Sequence, residues 1–189
     1  MPISVSGGII LVYLFLADGF EIIEALAPVD MMRRAKIDVK TVGVSGKTVR
    51  SSCGVEVTSD ITIDEFNPDG LEAVVLPGGL PGTLNLEADS RVQSAIDYAV
   101  DNNKYVCAIC AAPSILGHKG ILRGKEAVCY PGYEEDLTGA VISENHVAVD
   151  GRFITAKGAG VSVDFGLEIV KVLAGKEAAD RVRSAIQCK

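Results

Sequence analysis

Residues Tyr105-Val106-Cys107-Ala108-Ile109-Cys110-Ala111-Ala112-Pro113 place a cysteine where a run of strand-forming residues meets two alanines and a proline. The order predicts a strand, a sharp turn and a helix opened by Pro113. It is the cysteine counterpart of the strand-turn-helix elbow that presents a nucleophile above a sheet. The small side chains of Ala111 and Ala112 let the chain turn tightly and leave the sulfur of Cys110 accessible. A thiol at the start of a helix faces unpaired N–H groups and the positive end of the helix dipole. The spacing therefore predicts a lowered thiol pKa and a nucleophilic thiolate at Cys110.

Cys107 and Cys110 also match the C-x-x-C pattern of redox dithiols. On an extended strand, three steps of about 3.3 Å put their α-carbons roughly 10 Å apart, beyond the ~7 Å reach of a disulfide. Cys107 is accordingly expected to be a core residue. A thiolate needs a partner that handles protons, and the stretch Ala17-Asp18-Gly19-Phe20-Glu21-Ile22-Ile23-Glu24 offers two, Glu21 and Glu24. Position alone leaves the two nearly tied. Pro77-Gly78-Gly79 follows another apolar run, and glycines leaving a strand expose N–H groups that can hold an oxyanion.

These groups need elements to position them. The continuous apolar run over 9–16 reads as a central parallel strand covered on both faces. A helix is expected over 21–35, with acids early and Arg33-Arg34 late as the dipole favours. Pro28 interrupts it and is expected to kink or break it. Further strands are expected over 39–44, 55–58, 73–76, 105–109, 127–129, 146–149 and 153–155. Helices are expected over 90–100, from 113, over 162–173 and over 176–186. Such alternation predicts an α/β fold with a mostly parallel sheet between helices. With no repeat, low-complexity tract or linker, residues 1–189 read as one domain. Ligands of open parallel sheets bind beyond the carboxyl ends of the strands. The exits at 18–24, 77–81 and 110–113 are thus expected to share one cleft.

Composition narrows the chemistry. The chain has 189 residues, 48% hydrophobic and 23% charged, with a formal net charge of −7. A domain of this size buries roughly 70% of the surface its unfolded chain exposes, so no disulfide or metal is needed for folding. The charge and the lack of a basic run argue against nucleic acid as a partner. The two histidines, His118 and His146, are far apart. No metal site and no cofactor are expected. The apolar run over 9–17 has nothing basic before it, has acids after it, and falls short of the ~20 residues that span a bilayer. The expectation is a cytoplasmic protein with reduced thiols and no membrane partner.

The motifs Ala17 to Glu24, Pro28-Val29-Asp30-Met31-Met32-Arg33-Arg34-Ala35, Val74-Val75-Leu76-Pro77-Gly78-Gly79, Ala108-Ile109-Cys110-Ala111-Ala112-Pro113 and Ser143-Glu144-Asn145 occur in this order. Together they resemble the ThiJ/PfpI superfamily, and within it the branch of the Parkinson-disease-associated protein DJ-1 and its bacterial homologues. The resemblance runs from Ile9 past Leu173. It implies a flavodoxin-like three-layer α/β sandwich of the class I glutamine amidotransferase type, usually a homodimer. It implies that Cys110 is the reactive cysteine, that Glu24 is the acid hydrogen-bonded to it, and that Gly78, Gly79 and Ala111 supply backbone donors facing the sulfur. It also puts a proline at Pro28 and Cys53 close to the dimer contact.

Two departures bear on mechanism. The residue after the nucleophile is histidine in the family's proteases and amidotransferases, and here it is Ala111. A histidine that the DJ-1 branch often carries near the cysteine is replaced by Tyr130. A phenol titrates near pH ~10 rather than ~6.5, so Tyr130 is an auxiliary hydrogen-bond donor and a poor base. The resemblance implies cofactor-independent conversion of small reactive dicarbonyls, as in relatives described as type III glyoxalases or deglycases. In that reading Cys110 is the nucleophile and Glu24 the proton shuttle. The alternative is a redox sensor or stress-protective, chaperone-like protein acting through oxidation of Cys110. Peptidase or amidase chemistry is disfavoured by Ala111. The remaining residues read as structural: His118 on the helix after the nucleophile, His146 in a short strand, Cys129 buried, Cys188 near a chain end. Lys157-Gly158-Ala159-Gly160 lacks the spacing of a phosphate loop and reads as a strand-to-helix turn.

Overall fold

The computed structural model describes residues 4–5 and 8–188. Its frame is a seven-stranded sheet formed by β1 (Leu11–Leu16), β2 (Asp38–Gly43), β3 (Ile61–Thr62), β4 (Leu71–Leu76), β5 (Tyr105–Ile109), β6 (Val147–Asp150) and β7 (Phe153–Ala156). The order across the sheet is β6-β7-β5-β4-β1-β2-β3. Every pairing is parallel except β6 against β7.

The apolar runs are continuous because each strand feeds two cores. Val12, Leu14 and Leu16 of β1 point into one, and Tyr13 and Phe15 into the other. The same alternation separates Cys107 and Ile109 of β5 from Val106 and Ala108. The first core is closed by α1 (Ile22–Arg34), α5 (Ser162–Ala174) and α6 (Lys176–Ala185). The second is closed by α2 (Gly82–Ala88), α3 (Ser90–Asp101) and α4 (Pro113–His118). This is the flavodoxin-like three-layer sandwich. Among the described residues no helix is long and apolar enough to cross a membrane.

Several local expectations are corrected. The segment around 55–58 does not join the main sheet; Glu56–Thr58 pairs with Thr48–Arg50 as a separate antiparallel hairpin. The strand beside β2 is instead the short β3, whose two residues carry too little pattern to stand out. The expected strand at 127–129 is reduced to Glu126–Ala127, paired in parallel with Val141–Ile142. The seven-residue α2, opened by Gly82, was not expected.

Pro28 neither ends nor splits α1, which runs through it as one helix. A proline inside a helix costs about 3 kcal/mol, so packing must offset it. Pro28 is buried, and it faces Gly166 of α5 so closely that a Cβ on Gly166 would lie 2.8 Å from the Pro28 α-carbon. The two helices meet backbone to backbone at this point.

Chain order places the site. From β1 the chain steps outward to β2 and β3, then returns to the other side of β1 and proceeds through β4 and β5. The reversal lies between β1 and β4, and open sheets bind ligands beyond the strand ends at such a reversal. Residues 17–24, 77–81 and 110–113 leave the sheet there. The Pro28–Gly166 contact carries its own prediction: Gly166→Val should lower stability by about 2–3 kcal/mol through overpacking. Urea unfolding checks it, and an unchanged midpoint would show that α1 and α5 have slack at this contact.

Candidate active site

Cys110 follows directly on β5 and adopts the left-handed conformation, with φ 66°. For a residue with a side chain this costs on the order of 1–3 kcal/mol and persists only where neighbours impose it. Its N–H donates to the Ala156 carbonyl at the end of β7 (2.9 Å), and its own carbonyl accepts the Tyr130 N–H (2.8 Å). The sequence-derived elbow is therefore present, clamped from both sides. Gly78 packs against it. A Cβ on Gly78 would lie 2.7 Å from both the Cys110 Cβ and the Glu24 Oε2, so only glycine fits between them.

Glu24 sits in the first turn of α1 and is 1% exposed. Its Oε2 accepts the Gly78 N–H at 3.0 Å. The Ala159 N–H also hydrogen-bonds this carboxyl, and so does the Cys110 thiol. The two glutamates left open by position have separate tasks. Glu21 is the N-cap of α1, its Oε2 accepting the Glu24 N–H at 2.7 Å, while Glu24 turns inward to the sulfur.

Electrostatics in the site run opposite to the dipole expectation for the thiol. Burial, then the charge and hydrogen bond of Glu24, push Cys110 up to about 12; the Ala111 and Gly79 N–H groups pull the other way. The helix that follows has only six residues and cannot outweigh a buried carboxylate alongside. Glu24 itself is raised to about 7, chiefly by burial, with the Glu21 charge adding and the hydrogen bonds from Cys110, Gly78 and Ala159 opposing. Both shifts have one origin: a buried pair that resists holding two negative charges and keeps one proton between them. When the proton is on Glu24, its charge no longer opposes the thiolate and its O–H can donate to the sulfur.

The Gly79 and Ala111 N–H groups face the sulfur. Gly78 does not; its N–H is committed to Glu24, and its contribution is space. Tyr130 is half exposed and, with Gly79, Leu80, Cys110, Ala111 and Tyr133, lines a cavity of about 210 Å³ over the thiol. Ala159 is the residue that sequence reasoning missed. Its signal was the turn leaving the carboxyl end of β7, the same sheet edge as the other exits, which was assigned only a structural part. Cys107 and Cys129 are buried, Cys53 is exposed beside Ser51, and all five cysteines are free. His118 pairs with Glu87 (2.6 Å), and His146 lies just before β6, so neither lines the cavity over the thiol. Among the described residues no three His, Cys, Asp or Glu side chains form a group able to hold a metal.

A parallel sandwich with a strained cysteine at the switch point and a buried acid beside it defines a class of cysteine-centred α/β proteins. The model of the DJ-1/PfpI family matches residues 11–172, and the chain belongs to that family. It is 35% identical over 179 residues to the Parkinson disease protein 7 homolog of Danio rerio, covering 92% of this chain and 95% of that one. A Pyrococcus abyssi protein named a deglycase is 30% identical over 163 residues, covering 83% and 95%. The solved structure described as Toxoplasma gondii DJ-1, oxidized, superposes with a TM-score of 0.90 at 28% identity, covering 94% and 98%. The chain spans less than half the length, 45% and 37%, of the Arabidopsis thaliana DJ-1 homologs A and B that it also matches.

The shared proton predicts a pH profile. Above pH about 7 the pair holds one proton, and below it takes up a second that quenches the thiolate. Alkylation of Cys110 by iodoacetamide, followed by mass spectrometry, should rise through an apparent pKa near 7 and then level off. In Glu24→Gln the inflection should vanish. The same inflection in that variant would assign the titration to another group.

Proposed function

We propose that the protein converts small α-oxo aldehydes to 2-hydroxy acids without a cofactor, using Cys110 as nucleophile and Glu24 as proton shuttle. One observation carries the reading: a buried carboxyl raised to about 7 and hydrogen-bonded to the thiol, under an open cavity. A general acid-base works best when its pKa lies near the working pH. The relative named a deglycase and the family membership support the same chemical class.

With methylglyoxal, the Cys110 sulfur adds to the aldehyde carbon and Glu24 gives its proton to the resulting oxyanion, forming a hemithioacetal. The Gly79 and Ala111 N–H groups steady the developing charge. Glu24 then takes the proton from the former aldehyde carbon and returns it at the neighbouring carbon, while the hydroxyl proton passes from the first oxygen to the second, leaving a lactoyl thioester. Water releases lactate and restores the thiol. One carbon is oxidised and its neighbour reduced, so no external redox partner enters.

A second reading rests on the same pair and on the neighbour described as oxidized. Attack of the Cys110 thiolate on peroxide breaks the O–O bond and gives a sulfenic acid and water; a second oxidation gives a sulfinate that protonated Glu24 can hydrogen-bond. After mild peroxide, mass spectrometry should find Cys110 oxidised ahead of the exposed Cys53; even modification of both removes this reading. For the enzymatic reading, purified protein is mixed with methylglyoxal in the absence of glutathione and lactate is followed. Cys110→Ala should abolish turnover, and Glu24→Gln should lower it by about 10²-fold or more, as expected for loss of a general acid-base. Equal rates for wild type and Cys110→Ala would falsify it.

A further inference from the structure

A second cavity adjoins the one over the thiol. It has a volume of about 480 Å³, and its lining includes Tyr130, Pro131, His146, Lys157, Gly158 and Val161. Tyr130 is a wall of both cavities. Gly158 keeps the boundary between them narrow, since a Cβ there would lie 3.3 Å from the Tyr130 ring and 3.9 Å from the Glu24 Oε1. Gly158, in the lining of the second cavity, thus lies close to the Glu24 carboxyl.

Lys157 stands at its rim without a carboxylate partner among the described residues. Lys104, Lys119, Lys125, Lys171 and Lys176 each have one, whereas Lys36, Lys40 and Lys47 also lack one among the described residues but line neither this cavity nor the one over the thiol. The Lys157 N–H donates to the His146 carbonyl (3.0 Å), and both residues line this cavity. The turn beneath is fixed by the Val161 N–H on the Gly158 carbonyl (3.0 Å) and by the Ser162 hydroxyl on the Ala159 carbonyl (2.9 Å). In a chain of net charge −7, Lys157 is a half-buried residue that lines the cavity next to the one over the thiol, the kind of position in which a cation can receive an anion. Partial removal from water strengthens its pairing with a carboxylate. Pro131 and Val161 add apolar surface suited to methylene groups.

We propose that this cavity is the subsite for the tail of the substrate, and that the class favoured is an α-oxo aldehyde bearing a carboxylate a few carbons from its carbonyl pair. The inference rests on the function proposed above: the carbonyls lie over Cys110 and Glu24, and the carboxylate reaches Lys157 past Tyr130. A suitable probe is 4,5-dioxopentanoate, which the same proton transfer and one water convert to 2-hydroxyglutarate.

The experiment compares kcat/KM for 4,5-dioxopentanoate and methylglyoxal in wild type, Lys157→Met and Lys157→Arg. The ratio of the two values should favour the acid in wild type and fall about tenfold in Lys157→Met. The fall should reside in KM, and Lys157→Arg should restore the ratio. An unchanged ratio in Lys157→Met overturns the proposal. A second readout needs no turnover: the rate of Cys110 alkylation by anionic iodoacetate relative to neutral iodoacetamide should drop several-fold in Lys157→Met and recover in Lys157→Arg. If wild type converts neither dicarbonyl, the catalytic reading fails. The alkylation ratio then decides the anion subsite alone, a drop upholding it and constancy overturning it.

Discussion

The contact between the Glu24 carboxyl and the Cys110 sulfur is the constraint around which the rest of the structure is arranged. A carboxyl with 1% exposure cannot stay ionised cheaply, and a thiol beside it cannot ionise while the carboxylate is charged. Moving Glu24 from 4.5 to about 7 corresponds to about 3 kcal/mol in favour of its neutral form. The sign follows: this contribution to stability is complete below the unfolded value and is lost as pH rises through about 7. A fold that accepts such a loss at neutral pH gains from it a carboxyl beside the sulfur that can both give and take a proton.

Holding that contact requires three pieces of backbone to converge. The loop after β4 brings Gly78 into van der Waals contact with both partners, which excludes any side chain there. The end of β7 grips the strained Cys110 through Ala156, and the turn after it brings Ala159 to the carboxyl. The third piece is α1, whose first turn carries Glu24 and whose position is set by the Pro28–Gly166 contact with α5. The proline that is a poor choice by helix propensity is thus a packing choice. A helix free to shift by an ångström would detach the carboxyl from the sulfur.

What the sequence made legible, and what it did not, divides along physical lines. Strands that feed two cores produce long apolar runs, so β1, β4 and β5 were readable, and with them the exits that bear Cys110 and Gly79. The two-residue β3 and the glycine-opened α2 carry too few side chains for any period to show. Glu21 and Glu24 differ by less than one helical turn, and residue type could not tell which points inward; the family resemblance separated them. The sign of the Cys110 shift was misjudged because a helix dipole is local and visible in sequence, whereas burial beside a carboxylate arises only in the folded chain. The same holds for Ala159, whose contribution is a backbone N–H that any residue but proline could supply, and for Gly78, whose backbone donor binds the acid in place of the sulfur.

Tyr130, and no histidine, lines the cavity over the thiol among the described residues, and this bears on how protons must move there. Besides Cys110, the other residues lining it are Gly79, Leu80, Ala111 and Tyr133, so among the described residues no second carboxyl or imidazole lines the space over the thiol. Both transfers in a conversion of a dicarbonyl then fall to the single carboxyl of Glu24, which must reach two adjacent carbons of the bound substrate. A substrate free to rotate about the carbon–sulfur bond would present the second carbon only part of the time. Fixing its far end removes that freedom, and holding reacting groups in register is worth several kcal/mol of barrier. With one proton carrier in the site, an anchor for the tail contributes to the chemistry as well as to binding, the part that the proposal gives to Lys157.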